Sequence, residues 1–121
     1  MGTALWEEIA FRGVLQAALR RVMPKTTAIA VTSCLFGLWH IRPALQGLRA
    51  NGLAGTRGRA VAGVTAGVAG TIAGGVLFSW LRERSGSLAA PILLHAATNS
   101  GGLVTALAVA EAARPKAPPA G

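Results

Sequence analysis

Apolar residues in this chain run in long stretches, separated by short clusters of arginine, lysine, glycine and proline. The first stretch predicts a helix over residues 3–22, stopped before Pro24. Its acids fall in the opening turns and Arg20 and Arg21 in the last, as the helix dipole favours. Residues 26–41 carry no charge before His40 and end at Arg42-Pro43. At 1.5 Å per residue they span about 24 Å, short for a full bilayer crossing. Residues 42–58 hold Pro43, Gly47, Asn51, Gly52, Gly55 and Gly58 beside three arginines, and read as an interfacial loop with at most one helical turn. From 60 to 81 there is no charge between Arg59 and Arg82, which makes this the clearest spanning helix. Residues 82–86 read as a tight turn, and 88–110 as a last helix with Pro91 tolerated in its first turn.

Within 60–81, Ala62, Ala66, Gly70 and Gly74 recur every four residues, and Gly63 with Gly67 forms a neighbouring row. Such small-residue stripes let another helix backbone approach closely. The pattern predicts an all-α, membrane-embedded bundle of about four helices over residues 1–110, followed by a disordered Pro/Ala tail over 111–121.

Composition sharpens this picture. Only 13% of the 121 residues are charged, about half the share usual in a soluble domain, and mean hydropathy is +0.50. The net charge of +8 does not argue for nucleic acid, because the basic residues flank the apolar runs instead of sharing one face. The partners expected are the lipid bilayer and further copies of the chain, in a multi-pass protein of a cell membrane. If all four helices cross, basic residues divide almost evenly between the two faces and set no orientation. A basic n-region of a cleavable signal peptide is missing, since Glu7 and Glu8 stand where one would start. Cys34, the single cysteine, has no internal disulfide partner and is expected to pack within its helix.

Polar and ionisable groups are expensive in hydrocarbon, at about 2.5–3.5 kcal/mol for each charge. Yet these apolar stretches carry Glu7, Glu8, Arg12, His40, His95 and Asn99, which are therefore expected to gather around one wet cavity. Glu8 and Arg12, four apart, share a helix face and pair. Glu7, rotated about 100° from Glu8, is left without a local countercharge, and the two carboxylates are not expected to serve one centre. Phe36 and His40 share a face, and Gly37 would admit a close neighbour. His95 and Asn99, also four apart, would aim two hydrogen-bond donors the same way, the arrangement that stabilises a developing oxyanion. Each feature also has a plain structural use: dipole-complementing acids, a helix-end cap, helix-to-helix glue.

Taken in order, Glu-Glu-x-x-x-Arg (Glu7, Glu8, Arg12), Phe-x-x-x-His (Phe36, His40) and His-x-x-x-Asn (His95, Asn99) after Gly86-Ser87-Leu88 resemble the motifs of the CPBP (CAAX protease and bacteriocin-processing, Abi) family of intramembrane endopeptidases. The resemblance implies a bacterial membrane peptidase acting on a peptide or on a protein C-terminus or leader. Glu7 would activate water, His40 would help hold it, and His95 and Asn99 would form the oxyanion hole. Glu8, Arg12 and Phe36 would support them. It also implies helices before the first motif, so that the chain would be the core of a larger family fold. No cofactor is expected. The alternatives are a zinc peptidase holding its metal on Glu7, His40 and His95, for which the sequence lacks a His-Glu-x-x-His pair, a non-enzymatic scaffold or immunity-type partner, and a small channel or transporter.

Overall fold

A computed structural model of the chain describes residues 2–112. Among them every regular element is helical. Helix α1 covers residues 2–19 in three pieces: an α segment Gly2–Glu8, a π segment Ile9–Leu15 and an α turn Gln16–Leu19. It is followed by α2 (Lys25–Trp39), α3 (Ile41–Ala50), α4 (Arg57–Ser85) and α5 (Ala89–Ala112). With α2 and α3 joined end to end at His40, the fold is the all-α bundle of four rods that the hydropathy pattern predicts. Both α2 and α3 lie along α4, α5 packs on α4 and on the start of α1, and the middle of α1 touches α2 and α4.

Residues 41–50 correct the sequence expectation of a loop. Pro43 occupies the third helical position, where a backbone N–H has no intrahelical partner to lose. Ala44 and Leu48, four apart, then face α4, while Arg42, Gln46 and Arg49 are exposed. Glycine and proline counts hid this amphipathic pattern. The consequence is a 26-residue apolar stretch, Lys25–Ala50, long enough to cross a membrane where residues 26–41 alone were not. The turn expected over 82–86 is likewise mostly helix. Only Gly86 leaves it, at φ +68°, a left-handed conformation open to glycine, and Ser85 and Ser87 bond each other across it.

The two small-residue rows on α4 behave differently. A Cβ on Gly63 would meet Leu48 Cδ1 at 2.7 Å, and one on Gly67 would meet Ala44 Cβ at 3.3 Å. Nothing lies within 4 Å of a Cβ on Gly70, and Ala62 and Ala66 are exposed. Close approach therefore runs through the Gly63–Gly67 row, and of the other row Ala62, Ala66 and Gly70 face outward while Gly74 lies against Phe78. Gly37 is a real contact point: a Cβ there would collide with Ile72 and stand 3.2 Å from the Val68 carbonyl.

Burial is inverted relative to a soluble domain. The buried apolar core comprises Ala4, Ala28, Phe36 and Phe78, while Glu8, Arg12, Gln16, Thr32, Ser33, Ser79 and His95 are also buried. Trp6, Leu38, Val61 and Leu93 point outward. Three helical stretches, Lys25–Ala50, Arg57–Ser85 and Ala89–Val109, are long and apolar enough to cross a membrane. The inversion is what hydrocarbon outside demands, with polar groups turned to the protein interior. Helix α1, short and carrying Glu7, Glu8 and Arg12, is not among these spans, contrary to a reading in which all four helices cross. Cys34 is exposed on α2 and does not pack inside as expected. The predicted 111–121 tail lies outside the described residues from 113 on, and residues 111 and 112 still belong to α5.

Candidate functional site

The π segment in α1 is the local device on which the site is built. Its wide turn is closed by a bond from the Gln16 N–H to the Phe11 carbonyl, five residues back. Such bulges recur at functional sites because they re-aim side chains without ending the helix. Here Glu7 and Glu8 precede the bulge, Arg12 lies within it and Gln16 follows it.

Glu8 and Arg12 form a fully buried ion pair, Nη1 to Oε1 at 3.0 Å. The guanidinium also rests over the Phe36 ring, 4.1 Å from its centroid, a cation–π contact that helps compensate for lost hydration. The same Glu8 oxygen accepts from His95 Nδ1 at 2.9 Å. Phe78 stacks on the His95 ring at 4.9 Å, and Phe36 meets it edge-on at 5.8 Å. His95 is thereby fixed in position and orientation, with Nε2 left as its free end.

That free end faces Glu7. Oε2 of Glu7 stands 3.6 Å from His95 Nε2 and 3.7 Å from His40 Nε2, long for hydrogen bonds but close enough to exchange a proton through one bridging group. His40 Nδ1 lies 2.8 Å from the Phe36 carbonyl. A carbonyl only accepts, so Nδ1 carries the hydrogen and neutral His40 presents its lone pair from Nε2 towards Glu7. The two histidines thus turn equivalent atoms to one carboxylate oxygen.

This geometry corrects the expectation that the adjacent glutamates serve separate centres. They leave the helix in different directions, as predicted, but an imidazole has two nitrogens on different edges. His95 bridges them, bonded to Glu8 through Nδ1 and facing Glu7 through Nε2. Asn99, one turn along α5, lines the same cleft as His95, with Phe36, His40, Thr71, Gly74 and Phe78, in a volume of about 260 Å³. A larger hollow of about 490 Å³ between α3 and the start of α4 is lined by aliphatic side chains with Arg49, Arg57 and Thr65, and contains none of the carboxylates or imidazoles.

Contacts link Glu7 to His40 and His95, Glu8 to Arg12 and His95, and Arg12 to Phe36, while Asn99 shares a cleft with Phe36, His40 and His95. Sequence reasoning missed Phe78, which stacks on His95, and Gln16, which continues the Glu8–Arg12 stripe by one further turn. Four-residue spacing would have revealed Gln16. For Phe78, spaced four from Gly74, the sequence contains no partner that singles it out. Among the described residues, no group of three or more His, Cys, Asp or Glu side chains is arranged to hold a metal ion.

Compared with known proteins, the chain matches over residues 1–101 a family model described as type II CAAX prenyl endopeptidase Rce1-like. No curated protein and no solved structure matches it.

Proposed function

Because the chain belongs to the Rce1-like family of type II CAAX prenyl endopeptidases, we propose that it is an intramembrane peptidase that hydrolyses a peptide bond with water activated by Glu7. The observation that carries this reading is the position of one Glu7 oxygen between the Nε2 atoms of His40 and His95. The substrate is a peptide or a protein C-terminus or leader presented at the plasma membrane, and the cleft beside Asn99 is where its scissile carbonyl lies.

Each group has a distinct task. A water hydrogen-bonded to His40 Nε2 gives a proton to Glu7, and the resulting hydroxide attacks the carbonyl carbon. The oxyanion that forms is met by the Asn99 amide and by His95. Since His95 Nδ1 donates to Glu8, Nε2 can donate to the oxyanion only as an imidazolium, whose charge faces the Glu8 carboxylate. Glu7 then returns its proton to the leaving amine. Glu8 and Arg12 position His95 and do not touch the substrate, and Phe36 positions His95 from the wall of the cleft.

The test is Glu7→Gln in the full chain in lipid. The amide is isosteric, and Glu7 is only partly buried, so the fold is retained. Cleavage of a membrane peptide substrate should fall by at least about 10³-fold, with thermal stability unchanged. A folded Glu7→Gln protein that retained most of its turnover would overturn the assignment.

A further inference from the structure

Deep in the bundle, away from the Asn99 cleft, eight buried polar atoms among the described residues make no hydrogen bond to the protein. They are Glu8 Oε2, Arg12 Nε and Nη2, Gln16 Oε1, Thr32 Oγ1, Ser33 Oγ, Ser79 Oγ and Arg82 Nε. Folded proteins rarely leave such groups unsatisfied. Eight in one small bundle is far too many to be incidental, and they are not scattered.

All eight belong to facing stripes on three helices. On α1, Glu8, Arg12 and Gln16 are spaced by four, on α2 Thr32 and Ser33 share the inner face, and on α4 Ser79 and Arg82 do. Gly75 shows how closely these stripes meet: a Cβ there would lie 3.0 Å from Arg12 Nη2 and 3.2 Å from Ser33 Cβ. Donors and acceptors are both represented, the Arg12 and Arg82 nitrogens against hydroxyl, amide and carboxylate oxygens. That mixture suits water, which donates and accepts, and neither a bare anion nor a cation.

At one end the stripe opens into a pocket of about 190 Å³ lined by Arg12, Gln16, Arg20, Arg82 and Glu83. Its rim is polar: Glu83 binds Gln16 at 3.0 Å and Arg20 at 2.7 and 2.8 Å. At the other end it reaches Glu8, which holds His95 at 2.9 Å. We infer that these atoms line a narrow file of ordered water, running from the Gln16–Glu83 pocket through the Arg12–Ser33–Ser79 interior to the Glu8–His95 pair. The hydrolytic site thus draws its water by a route separate from the cleft beside Asn99. A peptide filling that cleft would otherwise close off the co-substrate. This last step rests on the peptidase reading, whereas the hydration of the passage does not.

The test needs no peptidase activity. In a Cys34→Ala background in lipid nanodiscs, Ser33→Cys and Ser79→Cys place near-isosteric thiols on the passage, and silver ion, insoluble in hydrocarbon, probes them. Protection from alkylation after denaturation reads the reaction. Both thiols should react at least tenfold faster than the native Cys34 of the parent chain. Adding Gln16→Leu, which makes the mouth apolar, should slow them at least tenfold, and adding Gly74→Leu, which fills the Asn99 cleft, should not. Unreactive thiols in both variants would show a dry interior and overturn the inference. Reaction blocked by Gly74→Leu instead of Gln16→Leu would overturn the separate route.

Discussion

Arg12 illustrates how one side chain can hold the site together. It neutralises Glu8, covers the Phe36 ring and lies against the open face of Gly75. Removing one partner of a buried ion pair strands the other charge, at a cost of about 3–5 kcal/mol. Arg12→Leu should therefore lower stability by that order in a thermal or denaturant melt, whereas Phe36→Leu, which removes the cation–π contact and the ring contacts with His40 and His95 but strands no charge, should cost about 1–2 kcal/mol. Reading Arg12 as the partner of Glu8 was possible from the spacing alone. That Glu8 also binds His95, 87 residues away, was not, because no local pattern encodes which imidazole will fold against which carboxylate. The same holds for the metal alternative. If Glu7 and His40 hold only water, 1,10-phenanthroline should leave cleavage unchanged, while activity lost to the chelator and restored by zinc would make Glu7, His40 and His95 its ligands.

At the scale of elements, α4 is the post against which the others are set. Its glycines are not equivalent, although in sequence they form two similar rows. Gly63→Leu has no room beside Leu48, and Gly37→Leu none beside Ile72, so each should destabilise the bundle by about 1–3 kcal/mol or more through overpacking. Gly70→Leu, facing outward, should change stability by less than about 0.5 kcal/mol. Melting temperatures of the three variants in one detergent would check this ranking. Helix α3 carries a related lesson. Its glycine and proline content reads as loop, but a proline in a first helical turn costs no hydrogen bond, and two residues facing α4 suffice to anchor the helix.

For the molecule as a whole, polarity is turned inside out, and this is the physical basis of its being an integral membrane protein. Cys34 gives a direct reading, since it is exposed yet sits well inside the Lys25–Ala50 span. In a bilayer a charged maleimide should leave it unlabelled, and after denaturation in detergent the same reagent should label it fully. Labelling in intact bilayers would place that face of α2 in water.

Long charge-free runs bounded by arginines determined by themselves that the chain is a helical membrane bundle, because hydrocarbon leaves the backbone few alternatives. Short spacings likewise determined the pairs Glu8–Arg12, Phe36–His40 and His95–Asn99, since i and i+4 share a helix face whatever the surroundings. Tertiary structure alone decided which stripe of α4 is covered, that His95 spans both glutamates, and that α1, α2 and α4 enclose a common polar interior. These depend on how rods rotate and slide against one another, and that choice is made by contacts between residues far apart in the chain.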